Sequence, residues 1–141
     1  MSDDRFFLDT NIFVYSFDPG APEKAVIAEK LVRRARTSGQ GVVSYQVAQE
    51  FVNVALRRFA AVMTTEELER YSLRVLFPLL QIHSSPHLFL QALHLQSRSR
   101  LSWYDSLIVA AALQSACKTL FSEDLQHGQR FGDLVVENPF I

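Results

Sequence analysis

Residues Phe6 to Tyr15 read FFLDTNIFVY, and the three polar residues at the centre of that stretch decide how the rest of the chain is read. Phe6-Phe7-Leu8 has the composition of a short buried strand, yet it breaks at Asp9-Thr10-Asn11 before apolar residues resume at Ile12. A carboxylate held against a core is costly unless something pairs with it. Asp9 is therefore expected where a strand leaves a sheet and delivers an acid to a site. The local alternative is a cap on the helical turn expected from Asn11 to about Ser16.

Outward from this stretch, short apolar segments alternate with helical patterns. Asp18-Pro19-Gly20-Ala21-Pro22 is a turn, and Pro22 suits a first helical position. Ala25, Val26, Ala28, Leu31, Val32 and Ala35 then recur at helical spacing until Ser38-Gly39. Gly41-Val42-Val43 reads as a second strand, and Ser44 can cap a helix with the stripe Val47, Phe51, Val54 and Ala55. Thr64 to Glu67 has capping-box spacing and opens a helix predicted to end before Pro78. Leu79 to Ile82 is a third strand, Ser85-Pro86 opens a helix to about Ser99, and Ser102 caps another through Ala116. Thr119 to Phe121 and Leu134 to Val136 complete the set. With no repeat, linker or low-complexity tract, the pattern predicts one domain over residues 1–141. Its class is α/β, a three-layer α/β/α arrangement around a mainly parallel sheet of about five strands.

A chain of 141 residues, 48% hydrophobic, can bury a core of its own. No apolar run approaches the ~20 residues that cross a bilayer. Asp3 and Asp4 stand where a secretory signal carries positive charge, which argues against export. Cys117 is the single cysteine, which excludes an intramolecular disulfide and a thiolate metal cage and suits a reducing cytoplasm. The net charge of −1 does not suggest a polyanionic partner, but eleven arginines against three lysines gather at Arg33, Arg34 and Arg36, at Arg57 and Arg58, and at Arg98 and Arg100. Such groups grip phosphate or simply solvate helix faces.

In parallel α/β folds, sites lie beyond the carboxyl ends of the strands. Asp9 follows the first strand, and Asp124 follows the fourth, in LFSED, two residues after Ser122. Asp105 lies in the first turn of the helix feeding that strand, on the face of Ile108, Val109 and Ala112. Glu50 borders the stripe of the helix after the second strand. Each acid has a local explanation: Asp9 as a cap, Asp105 closing a capping box with Ser102, Glu50 paired with Arg57 or Arg58, Asp124 in the turn before His127-Gly128. Those explanations are independent of one another, whereas one site accounts for all four. Carboxylates a few ångströms apart must protonate or share a cation. An all-oxygen set suits Mg²⁺ or Mn²⁺, which supports phosphodiester hydrolysis without a covalent nucleophile. Setting these four apart from the fifteen Asp and Glu leaves eleven acids against fourteen Lys and Arg, a net of +3 around the site.

DTNIFVY, the Glu of SYQVAQEF, the Asp of SWYDSLIVAAAL and the SED of LFSEDLQHG resemble, in order and spacing, the acidic motifs of the PIN domain, in particular of VapC-type toxin ribonucleases. The likeness covers nearly the whole chain, with SWYDSLIVAAALQSACKTLFSEDLQHG its most specific part. It implies that Asp9, Glu50, Asp105 and Asp124 hold one or two Mg²⁺ or Mn²⁺ ions while water attacks an RNA phosphodiester, and that Asn11 and Ser122 are accessory polar positions. It also implies a homodimer and a small antitoxin partner whose tail enters the site.

Other readings fit less well. A HAD-type phosphohydrolase needs a second Asp where Asn11 stands, and a receiver domain needs a lysine at the end of a late strand, whereas Lys118 stands at the start of one. His83, His87 and His94 suggest a separate metal site, but Pro86 opens the helix and leaves His83 outside it. His127 is expected in an exposed loop. Trp103 and Tyr104 could stack on RNA bases, but beside a buried helix they are expected in the core or at an interface. Some of the eleven phenylalanines are expected to line a dimer or antitoxin surface. The non-enzymatic alternative is an RNA-binding or protein-interaction module whose acids are structural and whose behaviour ignores metal.

Overall fold

The computed structural model describes residues 4–141; Asp3, at the acidic start, lies outside the described residues. Strands β1 (Phe6–Leu8), β2 (Gly41–Ser44), β3 (Leu80–Ile82), β4 (Thr119–Phe121), β5 (Arg130–Phe131) and β6 (Leu134–Glu137) form one sheet in the order β3-β2-β1-β4-β6-β5. All neighbours run parallel except β5, which is antiparallel to β6. Residues of β1 and β2 are buried throughout, as continuous apolar runs between two helical layers must be, while β3 at the edge is partly open.

Helices α1 (Thr10–Tyr15), α2 (Pro22–Ser38), α3 (Tyr45–Arg58), α4 (Thr65–Tyr71) and α5 (Phe77–Leu79) lie on the path from β1 outward to β2 and β3. Helices α6 (Pro86–Ser99) and α7 (Trp103–Gln114) lie on the return path from β3 to β4, on the other side of β1. Right-handed crossovers travelling in opposite directions place the two sets on opposite faces. The packing of α1 against α2 and α3, and of α6 against α7, follows that division. Phe7, Phe13, Phe51 and Leu120 are fully buried at the centre, with the Phe13 and Phe51 rings edge-on at 6.2 Å. Helix α2 passes so close to β2 that a Cβ on Gly41 would lie 2.2 Å from the Cβ of Ala35.

Three details differ from the sequence reading. The sheet has six strands, because the two-residue β5 is too short to show any alternation. The helix before Pro78 does not stop: α4 widens into a π-helical turn over Ser72–Leu76, where the Phe77 N–H donates to the Ser72 carbonyl, and continues into α5. Pro78, which has no N–H to donate, follows just after the widened turn. Helix α7 ends at Gln114, because Ala116 turns left-handed (φ 57°) and the Ala116 and Cys117 N–H groups donate to the carbonyls of Leu113 and Ala112, both at 3.0 Å.

Candidate active site

The strand order reverses at β1, which pairs with β2 on one side and β4 on the other, and such a switch point opens a crevice beyond the strands' carboxyl ends. A cleft of about 510 Å³ lies there, and Asp9, Glu50, Asp105 and Asp124 all line it, with Asn11 beside them. The fold thus gathers four acids from β1, α3, α7 and the end of β4. Lys118 precedes β4 and lies at the opposite edge of the sheet.

Asp9 is buried and caps α1: Oδ1 accepts from the Thr10 N–H at 2.7 Å, and Oδ2 accepts from the Ser122 hydroxyl at 2.7 Å. Its own N–H donates to the Phe121 carbonyl at 3.0 Å, tying the ends of β1 and β4 together. Burial pushes its carboxyl up to about 7; the bonds from Ser122 and Thr10 oppose this, and the charges of Asp124 and Glu50 add to it. Ser122 is fully buried, and its Oγ also accepts from the Asp124 N–H at 3.1 Å. One hydroxyl therefore positions two of the acids.

Glu50 pairs with neither Arg57 nor Arg58. Its Oε1 accepts from the Thr10 hydroxyl at 2.6 Å and its Oε2 from Gln46 Nε2 at 3.4 Å, so it turns toward the cleft. Asp105 makes only half of the capping box: its N–H donates to Ser102 Oγ at 3.1 Å, without the returning carboxylate bond that completes the Thr64–Glu67 box. Its carboxylate is left to the cleft, where its charge, after partial burial, raises the pKa of Asp124. Asn11 stands beside Asp124 and draws that pKa down, yet both of its side-chain amide atoms are buried without a hydrogen bond of normal geometry. A buried amide without a well-formed hydrogen bond points to something it has yet to bind.

Several residues of the cleft carried no role in the sequence reading. Thr10 links Asp9 to Glu50. Glu123 lines the cleft but accepts from Lys24 Nζ and from the Tyr15 hydroxyl, both at 2.5 Å. Against partial burial, those bonds hold its carboxyl below the ordinary range, so its charge is already balanced. Arg58, which the sequence offered as a partner for Glu50, instead meets Asp18 across the rim at 3.4 Å. Thr10 and Glu123 stood inside the DTN and SED motifs, but no local spacing pairs Glu123 with Lys24. Of the other arginines, Arg33 pairs with Glu29 at 2.7 Å and Arg34 lies over the Phe6 ring.

Trp103 packs on the core and meets Phe89 edge-on at 4.8 Å, as expected. Tyr104 does not: it is 65% exposed at the rim of the cleft. His83 precedes α6 and packs on Tyr45, and the exposed His127 accepts from the Asn138 N–H at 3.0 Å. Phe77 and Phe89 are the outward-facing large phenylalanines.

The residues fit a hard divalent cation in chemistry. All donors are oxygen, the charges of Asp124 and Glu50 add to the raised pKa of Asp9 and that of Asp105 to the raised pKa of Asp124, and the Asn11 amide lacks a hydrogen bond of normal geometry. Among the described residues, no group of three or more acidic, histidine or cysteine side chains is already close enough to hold an ion. The buried Asp9, the exposed Asp124 and the half-buried Glu50 and Asp105 are the residues that would hold one.

A mainly parallel sheet with acids converging at its switch point defines an α/β protein with an acidic crevice. The PIN domain family matches residues 6–130, and the chain belongs to that family. Among solved structures it is similar to VapC20 of Mycobacterium tuberculosis, described as a sarcin-ricin loop cleaving toxin, with a TM-score of 0.62 and 17% identity over 84% of this chain and 89% of that one. It is also similar to VapBC2 of Rickettsia felis bound to a DNA fragment from their promoter, with a TM-score of 0.56 and 20% identity over 94% of this chain and 97% of that one. At these identities the likeness establishes the fold. No curated protein matches the sequence significantly.

Proposed function

We propose that the protein is a Mg²⁺- or Mn²⁺-dependent endoribonuclease, the toxin of a VapBC-type pair, acting in the cytoplasm as a homodimer and restrained by a cognate antitoxin. One observation carries the catalytic reading: Asp9, buried at the switch point and pushed up to about 7, faces Glu50, Asp105 and Asp124 across one cleft. Membership of the PIN family and the fold shared with a toxin described as cleaving the sarcin-ricin loop support RNA as substrate. The fold shared with VapBC2 supports the antitoxin. Among the described residues no helix is long and apolar enough to cross a membrane.

In this reading Asp9, Glu50, Asp105 and Asp124 hold one or two ions. A bound cation supplies positive charge at a phosphoryl oxygen and at the attacking water. The chain's own residues do the positioning. Ser122 and the Thr10 N–H fix both oxygens of Asp9, and Thr10 Oγ1 fixes Glu50. The Lys24–Glu123 pair keeps a further carboxylate balanced and out of the set. Cleavage of single-stranded RNA in Mn²⁺ should vanish in EDTA and fall by about a hundredfold or more in Asp105→Asn and Asp124→Asn. RNA left intact by the folded, Mn²⁺-supplied parent would contradict the reading and favour a binding module with structural acids.

A further inference from the structure

Next to the acidic cleft, on the same edge of the sheet, a smaller cavity of about 140 Å³ opens beyond the carboxyl ends of β2 and β3. Three rings stand around it: Tyr45, His83 and Tyr104. Tyr45 and His83 lie 5.9 Å apart at 32°, and Tyr45 and Tyr104 are 43% and 65% exposed. Leu88 and Leu107 supply apolar walls. Core packing does not account for rings left this open around one hollow.

The two cavities share a ridge made of Gln46 and Tyr104. Gln46 Nε2 lies 3.4 Å from Glu50 Oε2 and 3.3 Å from the Tyr104 carbonyl, so the ridge is fixed to one of the acids. In charge the cavities differ: the larger is acidic, whereas among the described residues no Asp, Glu, Lys or Arg lines the smaller one. Its occupant is therefore neutral and flat rather than a phosphate. The volume equals that of about five waters, which leaves room for a single planar ring system.

We propose that this pocket takes one unstacked base of single-stranded RNA, flanking the phosphate held at the acidic cleft. The ring faces can stack on any base, and Gln46 and His83 line the same hollow as polar groups. An RNA strand then runs along the carboxyl edge of the sheet, with the acids beyond β1 and β4 and the base beyond β2 and β3. The assignment rests on the ribonuclease reading for the identity of the phosphate.

The test is binding of a short single-stranded RNA carrying 2-aminopurine, with Ca²⁺ in place of Mn²⁺, together with cleavage kinetics in Mn²⁺. Binding should quench the fluorophore. Tyr104→Ala and Tyr45→Ala should lose the quenching, bind about fivefold to a hundredfold more weakly, and raise KM with kcat little changed. Tyr104→Phe, which keeps the ring, should behave as the parent. RNA that is cut normally, with quenching and KM indifferent to both alanine variants, overturns the pocket and leaves the nuclease reading intact. RNA that binds with ring-dependent quenching but is never cut supports the pocket and overturns the nuclease reading. RNA that neither binds nor is cut overturns both.

Discussion

Asp9 shows how one residue can serve the fold and a site at once. Its two oxygens accept from Thr10 and Ser122, which makes it a cap and a β1–β4 tie, while burial and the charges of Asp124 and Glu50 resist its ionisation. The folded carboxyl titrates near 7, against 3.8 for the free group, so between those values the folded state keeps a proton that the unfolded state has released. Stability from this group is full below about pH 4 and is lost as pH rises toward and through 7, by up to about 4 kcal/mol at 1.36 kcal/mol per pKa unit. Urea unfolding in EDTA at pH 5 and pH 8 should show about 2–3 kcal/mol of that loss in the parent, whereas Asp9→Asn should lack most of it and be the more stable protein at pH 8. An equal pH dependence in both would contradict the environment described here. The acid was legible because a carboxylate interrupting an apolar run is a local signal. The balance of Glu123 by Lys24 was not, because a contact between residues 99 apart leaves no pattern in spacing.

At the scale of elements, the strands and caps were readable wherever several residues shared one periodic constraint. Ser44, Thr64, Ser85 and Ser102 each cap the helix expected of them. Strand β5 and the π-helical turn escaped because two residues show no period and a widened turn depends on packing rather than composition. The contact between α2 and β2 is of that second kind. A methyl on Gly41 would meet the Ala35 Cβ at 2.2 Å, and the buried strand cannot move away freely. Gly41→Ala should destabilise by about 1–3 kcal/mol through overpacking. Ala35→Gly should cost about 1 kcal/mol alone, but the double variant should be more stable than the sum of the two losses. Strict additivity in chemical denaturation would show that the two residues do not limit the packing.

For the whole molecule, topology does most of the positioning. The path outward to β3 and back to β4 leaves β1 at the switch point, so acids distant in the chain arrive at one cleft without any of them lying in a long loop. The order of the acids could be read from the sequence because each lies within a helix or just beyond a strand. The aromatic pocket could not, because Tyr45, His83 and Tyr104 come from three elements and only folding places them together. The acidic cleft inside a chain that is otherwise net +3 suits a cation at its centre and a polyanion around it.

The most direct test of the central claim, that these acids form a divalent-cation site, is the melting temperature of the parent and of Asp9→Asn at pH 7.5, in EDTA and in millimolar Mn²⁺. A ligand at a hundredfold excess over its Kd stabilises by about 2.7 kcal/mol, which for a domain of this size is about 5–10 °C. The account predicts such a rise in the parent and little or none in Asp9→Asn; no rise in the parent, or an equal rise in both, would contradict it.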